Sequence, residues 1–183
     1  MNESKDDARL RGRPVQRVVF SEEQIARRVR ELGDEITASY GDGELLVLGL
    51  LKGSFIFLSD LVRNIRMPLQ VDFMVASSYG DSRESSGQVA LVYDPETKLA
   101  GKHIILVEDI VDSGRTLKSI VRTLEARNPR SLEICALLDK NIATELERRP
   151  RFVGFSAPSE FLVGYGLDHA EDFRHLPYIA SLV

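Results

Sequence analysis

Two adjacent carboxylates, Glu108 and Asp109, follow the apolar run Ile104-Ile105-Leu106-Val107. After them come Ile110-Val111, the small polar turn Asp112-Ser113-Gly114-Arg115-Thr116, and a helical pattern beginning at Leu117. In chain order this is a strand, an acid pair, an anion-binding turn and a helix. Carboxylates accept hydrogen bonds from vicinal hydroxyls. A turn that opens a helix presents backbone N–H groups and hydroxyls to a phosphate. A sugar carrying a phosphate suits both halves. Acids beside a phosphate repel it, so Glu108 and Asp109 must face hydroxyls or a cation while only the turn faces the phosphate. No Gly-Lys-Ser/Thr is present, which excludes a nucleoside triphosphate P-loop. Asp112 or Ser113 would also serve as a helix N-cap, and the two roles are compatible.

The elements that position these residues are legible from periodicity. Ser21 and Gln24 have capping-box spacing, Phe20 and Ile25 fit a hydrophobic staple, and Ile25, Val29, Leu32 and Ile36 share a helical face. Leu45 to Leu51 is a continuous apolar run of the kind found in strands covered on both sides. Lys52-Gly53-Ser54 breaks it, and Phe55, Leu58, Leu61, Val62 and Ile65 follow at helical spacing. Val71, Phe73 and Val75 alternate with Asp72 and Met74, the signature of a strand. Ser77 to Gly87 reads as a long polar loop and Gln88 to Tyr93 as a returning strand, together a hairpin-like flap. His103 to Val107, Leu132 to Leu138 and Phe152 to Phe155 are further strands, and Leu117, Ile120, Val121 and Leu124 make a helical stripe. Strands alternating with helices predict an α/β fold with a mostly parallel central sheet flanked by helices. Ligands on such sheets bind at the carboxyl ends of strands. The breaks after Leu51, Val107 and Leu138 therefore predict one crevice built from Lys52-Gly53, Glu108 to Thr116 and Asp139-Lys140.

A chain of 183 residues with 43% hydrophobic and 28% charged residues is most simply one globular domain. Its net charge of −4 argues against bulk nucleic-acid binding. The single cysteine, Cys135, sits in an apolar stretch and reads as a buried small hydrophobe. Charges interrupt every long apolar run, so no membrane-spanning segment is expected. Residues 1–14 are rich in charge and lack an apolar stretch, which predicts a disordered tail rather than a signal peptide, with residues 15–183 forming the domain. The expected location is the cytoplasm. His103, His169 and His175 match no ligand spacing and read as structural or surface residues.

Ile105 to Leu117 resembles the phosphoribosyl-pyrophosphate (PRPP) loop of type I phosphoribosyltransferases, most closely the hypoxanthine-guanine subgroup with its Glu-Asp pair. Further segments match that family in order: Leu51-Lys52-Gly53-Ser54 resembles the pyrophosphate loop, and Ser77-Ser78-Tyr79-Gly80 with Ser85-Ser86-Gly87 the mobile flap. Leu137-Leu138-Asp139-Lys140 resembles the purine-reading segment. Phe161 to Asp168, with Phe173-Arg174, resembles the small C-terminal hood. The stretch Tyr93 to Thr97 departs from the family's acidic-leucine pattern.

The resemblance implies transfer of the 5-phosphoribosyl group of PRPP to N9 of hypoxanthine or guanine, with Mg²⁺ as cofactor. It implies that Glu108 and Asp109 hold the ribose hydroxyls directly or through Mg²⁺. Asp112, Ser113, Gly114, Arg115 and Thr116 would wrap the 5′-phosphate, with Arg115 as an accessory contact at most. Asp112 would also meet purine N7, either as general base or steadying its proton, depending on its distance from N7. Lys52, Gly53 and Arg174 would take pyrophosphate, across a Lys52–Gly53 peptide that can be cis in the family. Lys140 would donate to O6 of the base, Phe161 would stack on it, and the Leu162 backbone would meet its edge. Asp168, at the purine site, would ligate a second Mg²⁺. Ser78 and Tyr79 would close over the reacting centre. A homodimer or homotetramer is implied, with the apolar Leu58 to Ile65 stretch serving either an interface or the core. Two rivals remain at this level: an RNA-binding regulator on the same fold, which would need a basic face, and a sibling enzyme acting on xanthine or a pyrimidine.

Overall fold

The computed structural model describes residues 8–10, 15–41, 43–77, 90–143 and 146–182. A six-stranded sheet is built from β2 (Leu45–Leu51), β3 (Leu69–Ser77), β4 (Ala90–Tyr93), β5 (His103–Val111), β6 (Ser131–Asp139) and β7 (Phe152–Ser156). Its order is β4-β3-β2-β5-β6-β7. All neighbours are parallel except β4, which runs antiparallel on the edge. A second sheet of order β1-β9-β8 joins β1 (Val15–Phe20), β8 (Leu162–Val163) and β9 (Ile179–Leu182) into an antiparallel hood. The α/β, mostly parallel architecture expected from the sequence is the one observed.

The helices cover both faces of the large sheet. Helix α1 (Glu22–Ser39) opens with the expected capping box: Gln24 N–H donates to Ser21 Oγ (3.3 Å) and Ser21 N–H to Gln24 Oε1 (2.8 Å). Its buried Ile25, Val29, Leu32 and Ile36 pack with Phe57, Leu58 and Leu61 of α2 (Phe55–Asn64) against one face. On the other face Leu117, Ile120, Val121 and Leu124 of α3 (Arg115–Glu125) meet Leu46, Leu48, Ile104, Leu106 and Ile134. Burying such stripes supplies most of the stability of short helices. Cys135 is buried, and burial pushes its thiol well above the ordinary range, as befits a small core residue.

At three places the structure adds to the sequence reading or departs from it. Strand β5 does not end at Val107. It continues through Val111, paired with β6 at Glu108–Ala136, Ile110–Leu138 and Val111–Asp139, so the acid pair lies inside the strand. Pairing of β5 with β2 stops at Val107, however, and the sheet opens there. In β3 the alternation marks a strand, but Asp72 and Met74 point inward (8% and 0% exposed) while Val71 and Phe73 are 41% and 37% exposed. A two-residue period cannot say which face a helix will cover. Asp72 is tolerated because the N–H groups of Phe73 and Thr97 donate to its carboxylate; burial raises its pKa, and these bonds outweigh that and hold it low. Third, the segment read as a disordered tail contributes a 3₁₀ turn, Ala8–Leu10, and its Leu10 is buried in the hood cluster with Val163, Phe173 and Leu176.

Candidate active site

Strand order and chain order reverse between β2 and β5: β2 leads outward to β3, whereas β5 leads the other way to β6 and β7. Such a switch point leaves a crevice at the carboxyl ends of the strands. Lys52-Gly53 leaves β2 there, and Glu108-Asp109 stand where β5 outruns β2. The fit is tight. A Cβ on Gly53 would lie 1.7 Å from Asp109 Oδ2, and a Cβ on Gly166 would lie 2.1 Å from Gly53 O. Three distant segments therefore pack through two glycines, and any side chain at position 53 would displace the acid. Buried Ser54 fixes the loop by donating its hydroxyl to Leu50 O at 2.6 Å. The non-proline cis bond lies at Leu51–Lys52, one peptide before the Lys52–Gly53 bond anticipated from the resemblance.

The carboxyl pair is held in an unfavourable setting. Glu108 Oε2 is buried and finds no hydrogen-bond partner among the described residues. Burial, then the neighbouring Asp109, pushes the Glu108 pKa well above the carboxylate range. Asp109 is raised to about 6, chiefly by burial; hydrogen bonding to the Ile110 N–H (2.9 Å) and the charge of Arg174 oppose this, while Asp168 adds to it. A buried acceptor without a donor is costly, and ligand hydroxyls or a cation would satisfy it.

Beside the pair, a cleft of about 140 Å³ is lined by Glu108, Ile110, Val111 and the turn Asp112 to Leu117. Neither Asp112 nor Ser113 caps α3. The cap is Gly114, in the left-handed region at φ 77°, and among the described residues no side chain bonds to the helix N-terminus. Gly114 is required twice, by that φ and by Ala143 Cβ, which a Cβ here would approach to 3.0 Å. The first N–H groups of α3 are thus left to a ligand. Asp112, Ser113, Arg115 and Thr116 are all exposed.

Lys140 is brought to the same site by its N–H, which bonds Val111 O at 3.0 Å and continues the β5–β6 ladder. Its ammonium pairs with Asp112 Oδ2 at 2.9 Å. Phe161 is 56% exposed. Its ring is braced edge-on by His169 at 5.4 Å, a contact that the sequence spacing did not disclose. Leu162 pairs with Ser181 in the hood. Arg174 donates to Gly166 O (2.8 Å) and pairs with Asp168 Oδ1 (2.8 Å), while its buried Nε has no acceptor among the described residues. Lys52 pairs with Glu171 at 3.2 Å. Tyr165 donates its hydroxyl to Asp60 Oδ2 (2.7 Å), tying the hood segment to α2, another link that periodicity could not reveal. Ser78 and Tyr79 lie outside the described residues. His103 is structural as expected, half-buried and bonded to Ser131 Oγ at 2.6 Å.

Glu108, Asp109 and Asp168, the residues that would hold Mg²⁺, each offer only oxygen donors, the chemistry preferred by that ion. Among the described residues no three His, Cys, Asp or Glu side chains close around one ion position. The partnerless Glu108 oxygen and the mutual repulsion of Asp109 and Asp168 still fit a hard cation whose remaining ligands are substrate oxygens and water. No helix among the described residues is long and apolar enough to cross a membrane.

Comparison with known proteins gives the same picture. The phosphoribosyl transferase domain family matches residues 18–170. The hypoxanthine phosphoribosyltransferase of Buchnera aphidicola subsp. Schizaphis graminum is 45% identical over 169 residues, covering 91% of this chain and 96% of its own. The hypoxanthine-guanine phosphoribosyltransferase of Dictyostelium discoideum is 47% identical over 169 residues, covering 90% and 94%. The crystal structure of a hypoxanthine phosphoribosyltransferase from Staphylococcus aureus superposes with a TM-score of 0.88 at 41% identity, covering 92% of each chain. A switch-point crevice with a buried acid pair and an uncapped helix N-terminus, in a chain this similar throughout, belongs to the phosphoribosyl transferase domain family, among its hypoxanthine-guanine phosphoribosyltransferases.

Proposed function

We propose that this chain transfers the 5-phosphoribosyl group of PRPP to N9 of hypoxanthine or guanine, giving the nucleoside monophosphate and pyrophosphate. The observation that carries this reading is the buried Glu108 Oε2, without a partner among the described residues, beside the uncapped N-terminus of α3, two unmet demands that a phosphorylated sugar answers together. Glu108 and Asp109 accept from the ribose hydroxyls. The N–H groups opening α3, with the Ser113 and Thr116 hydroxyls, hold the 5′-phosphate; Asp112 and Gly114 shape the loop, and Arg115 adds an outer contact. Lys52, the Gly53 backbone and Arg174 take the pyrophosphate. Phe161 stacks on the purine, and the Leu162 backbone meets its edge.

Lys140 reads the 6-oxo group. An ammonium has three donors and no acceptor, so it bonds O6 but confronts the amino group of adenine with a second donor. With three protons it can serve O6 without leaving Asp112 entirely, and Asp112 takes the proton from N7 as the base becomes a nucleophile. The substitution at ribose C1 passes through an oxocarbenium-like state in which positioning does most of the work. Asp109, Glu108 and Asp168 would hold Mg²⁺, which would supply neutralisation of charge on the pyrophosphate leaving group. Ser78 and Tyr79 of the flap exclude water.

PRPP is a highly charged substrate that does not cross membranes unaided, so the working compartment is the cytoplasm. A homodimer or homotetramer is proposed. Leu58 and Leu61 serve the core, leaving exposed Phe55, Val71 and Phe73 as the apolar surface for such contacts.

The test is steady-state turnover with PRPP and Mg²⁺ against hypoxanthine, guanine, xanthine, adenine and uracil. Turnover of hypoxanthine or guanine with adenine inert is expected. Turnover of xanthine or uracil alone would overturn the base assignment, and no turnover with any base would overturn the enzyme.

A further inference from the structure

Glu171 has no part in the reading above, yet it joins two cations that do. Its carboxylate oxygens lie 3.3 and 3.2 Å from Lys52 Nζ. The same Oε2 lies 3.6 Å from Arg174 Nη2. One carboxylate thus bridges the loop after β2 and the hood segment. The turn that carries it is made for this placement. His169 and Asp172 exchange backbone hydrogen bonds (3.2 and 3.1 Å) around Ala170 and Glu171, whose φ values are 52° and 64°. Two positive φ values mark a type I′ turn, whose central pair is ordinarily Asn-Gly. Ala-Glu here is strained, and such strain persists where the surroundings over-determine it. The Glu171 N–H donates to Asp168 Oδ2 (2.9 Å), and Asp168 Oδ1 takes Arg174 (2.8 Å), so turn, acid and cations form one unit. Arg174 Nε stays buried without an acceptor among the described residues, a donor that Glu171 does not satisfy.

We infer that Glu171 is an internal stand-in for pyrophosphate: its carboxylate occupies the Lys52–Arg174 cation pair until a diphosphate displaces it, and returns as the product leaves. The inference rests on the reading that Lys52 and Arg174 bind pyrophosphate. The Lys52 and Glu171 side chains are 66% and 67% exposed. Exposed pairs contribute little to stability, so this one is a weak anchor but a standing competitor. A site that is only fractionally open binds its ligand more weakly by that fraction. Removing the competitor therefore tightens binding of pyrophosphate, and of PRPP through its diphosphate, by about two- to fivefold, the range open to an exposed ion pair.

The experiment is calorimetric titration of the whole chain with inorganic pyrophosphate, with and without Mg²⁺, in the parent protein, Glu171→Gln, Glu171→Asp, Lys52→Met and the double variant Lys52→Met with Glu171→Gln. Tighter binding by Glu171→Gln is expected, with a lower KM for PRPP and an unchanged KM for the purine. Glu171→Asp, one methylene shorter, should fall between parent and Glu171→Gln. In the Lys52→Met background the gain from Glu171→Gln should shrink. Unchanged or weaker pyrophosphate binding in Glu171→Gln, whether or not its melting temperature falls, would overturn the inference; weaker binding with a lower melting temperature would mark Glu171 as structural. Parent protein that binds no pyrophosphate, or Lys52→Met that binds it as well as the parent, would overturn the underlying reading of the cation pair instead.

Discussion

Gly53 illustrates how narrowly single residues are constrained in this crevice. The Asp109 carboxylate occupies the space where a Cβ would stand. Gly53→Ala must therefore shift Asp109, the loop or both, and misplacement of about 1 Å costs roughly 10²-fold in rate. A fall of that order in kcat/KM, with the circular dichroism spectrum retained, is expected; near-parent activity would show that Asp109 tolerates displacement. Lys140 is constrained by chemistry rather than space. Lys140→Met removes the only group assigned to O6 and leaves Asp112 without its 2.9 Å partner. Losing a charged hydrogen bond of about 1.5–3 kcal/mol predicts about a 10- to 100-fold drop in kcat/KM for hypoxanthine, with a smaller gap between hypoxanthine and adenine. Parallel kinetics on both bases check this, and an unchanged gap would remove Lys140 as the reader of O6.

Among the elements, the end of the chain departs furthest from relaxed geometry. Gly164, Tyr165, Gly166, Ala170, Glu171 and Phe173 all have positive φ. For a residue with a Cβ the left-handed region costs about 1–2 kcal/mol. Less the unfolded-state entropy of a new glycine, Ala170→Gly should stabilise the protein by up to about 1 kcal/mol, seen as a higher denaturation midpoint; a lower midpoint would show that the turn is not strained. Helix α1 shows the opposite condition. Its capping box satisfies orphan N–H groups at both Ser21 and Gln24, and Ser21→Ala should cost about 1 kcal/mol of stability in the same denaturation assay. The first helix is relaxed and locally encoded, while the segment between β8 and β9 is strained and held by contacts such as Tyr165 to Asp60.

At the scale of the molecule, the acid pair sets stability against function. Asp109 holds its proton more tightly in the folded protein, with a pKa near 6, than in the unfolded chain, and Glu108 is raised as well. The folded state then binds more protons than the unfolded state, so ligand-free stability falls as pH rises through the window from about 4 to about 6. The Asp109 shift corresponds to a loss on the order of 2–3 kcal/mol by neutral pH. Asp109→Asn should remove much of that loss while abolishing turnover. Denaturant titrations at pH 4.5 and 8 check the sign: the parent should lose stability between them, and the variant less, because Glu108, raised chiefly by its own burial, still contributes. A parent equally stable at both would show that the acids are relieved by hydration.

The sequence by itself determined the local elements and the chemistry they carry. Ser21 with Gln24 fixed a helix start, Leu45 to Leu51 a buried strand, and Glu108 to Thr116 the kinds of atoms offered to a ligand, because caps, periods and donor types are properties of neighbouring residues. The tertiary structure decided the rest. It set which face of β3 is covered, since alternation has no sign until a helix packs. It made Gly114 rather than Asp112 or Ser113 the cap of α3, since Ala143 arrives from after β6 and the chain must turn through φ 77°. It carried β5 past Val107, since β6 continues to pair where β2 stops. It also placed His169 against Phe161 and Glu171 between Lys52 and Arg174. Lys52 meets Glu171 across 119 residues, a separation bridged only by closure of the whole chain, while the nearer pairs Phe161–His169 and Glu171–Arg174 need the strained turns between them, which side-chain periodicity does not reveal.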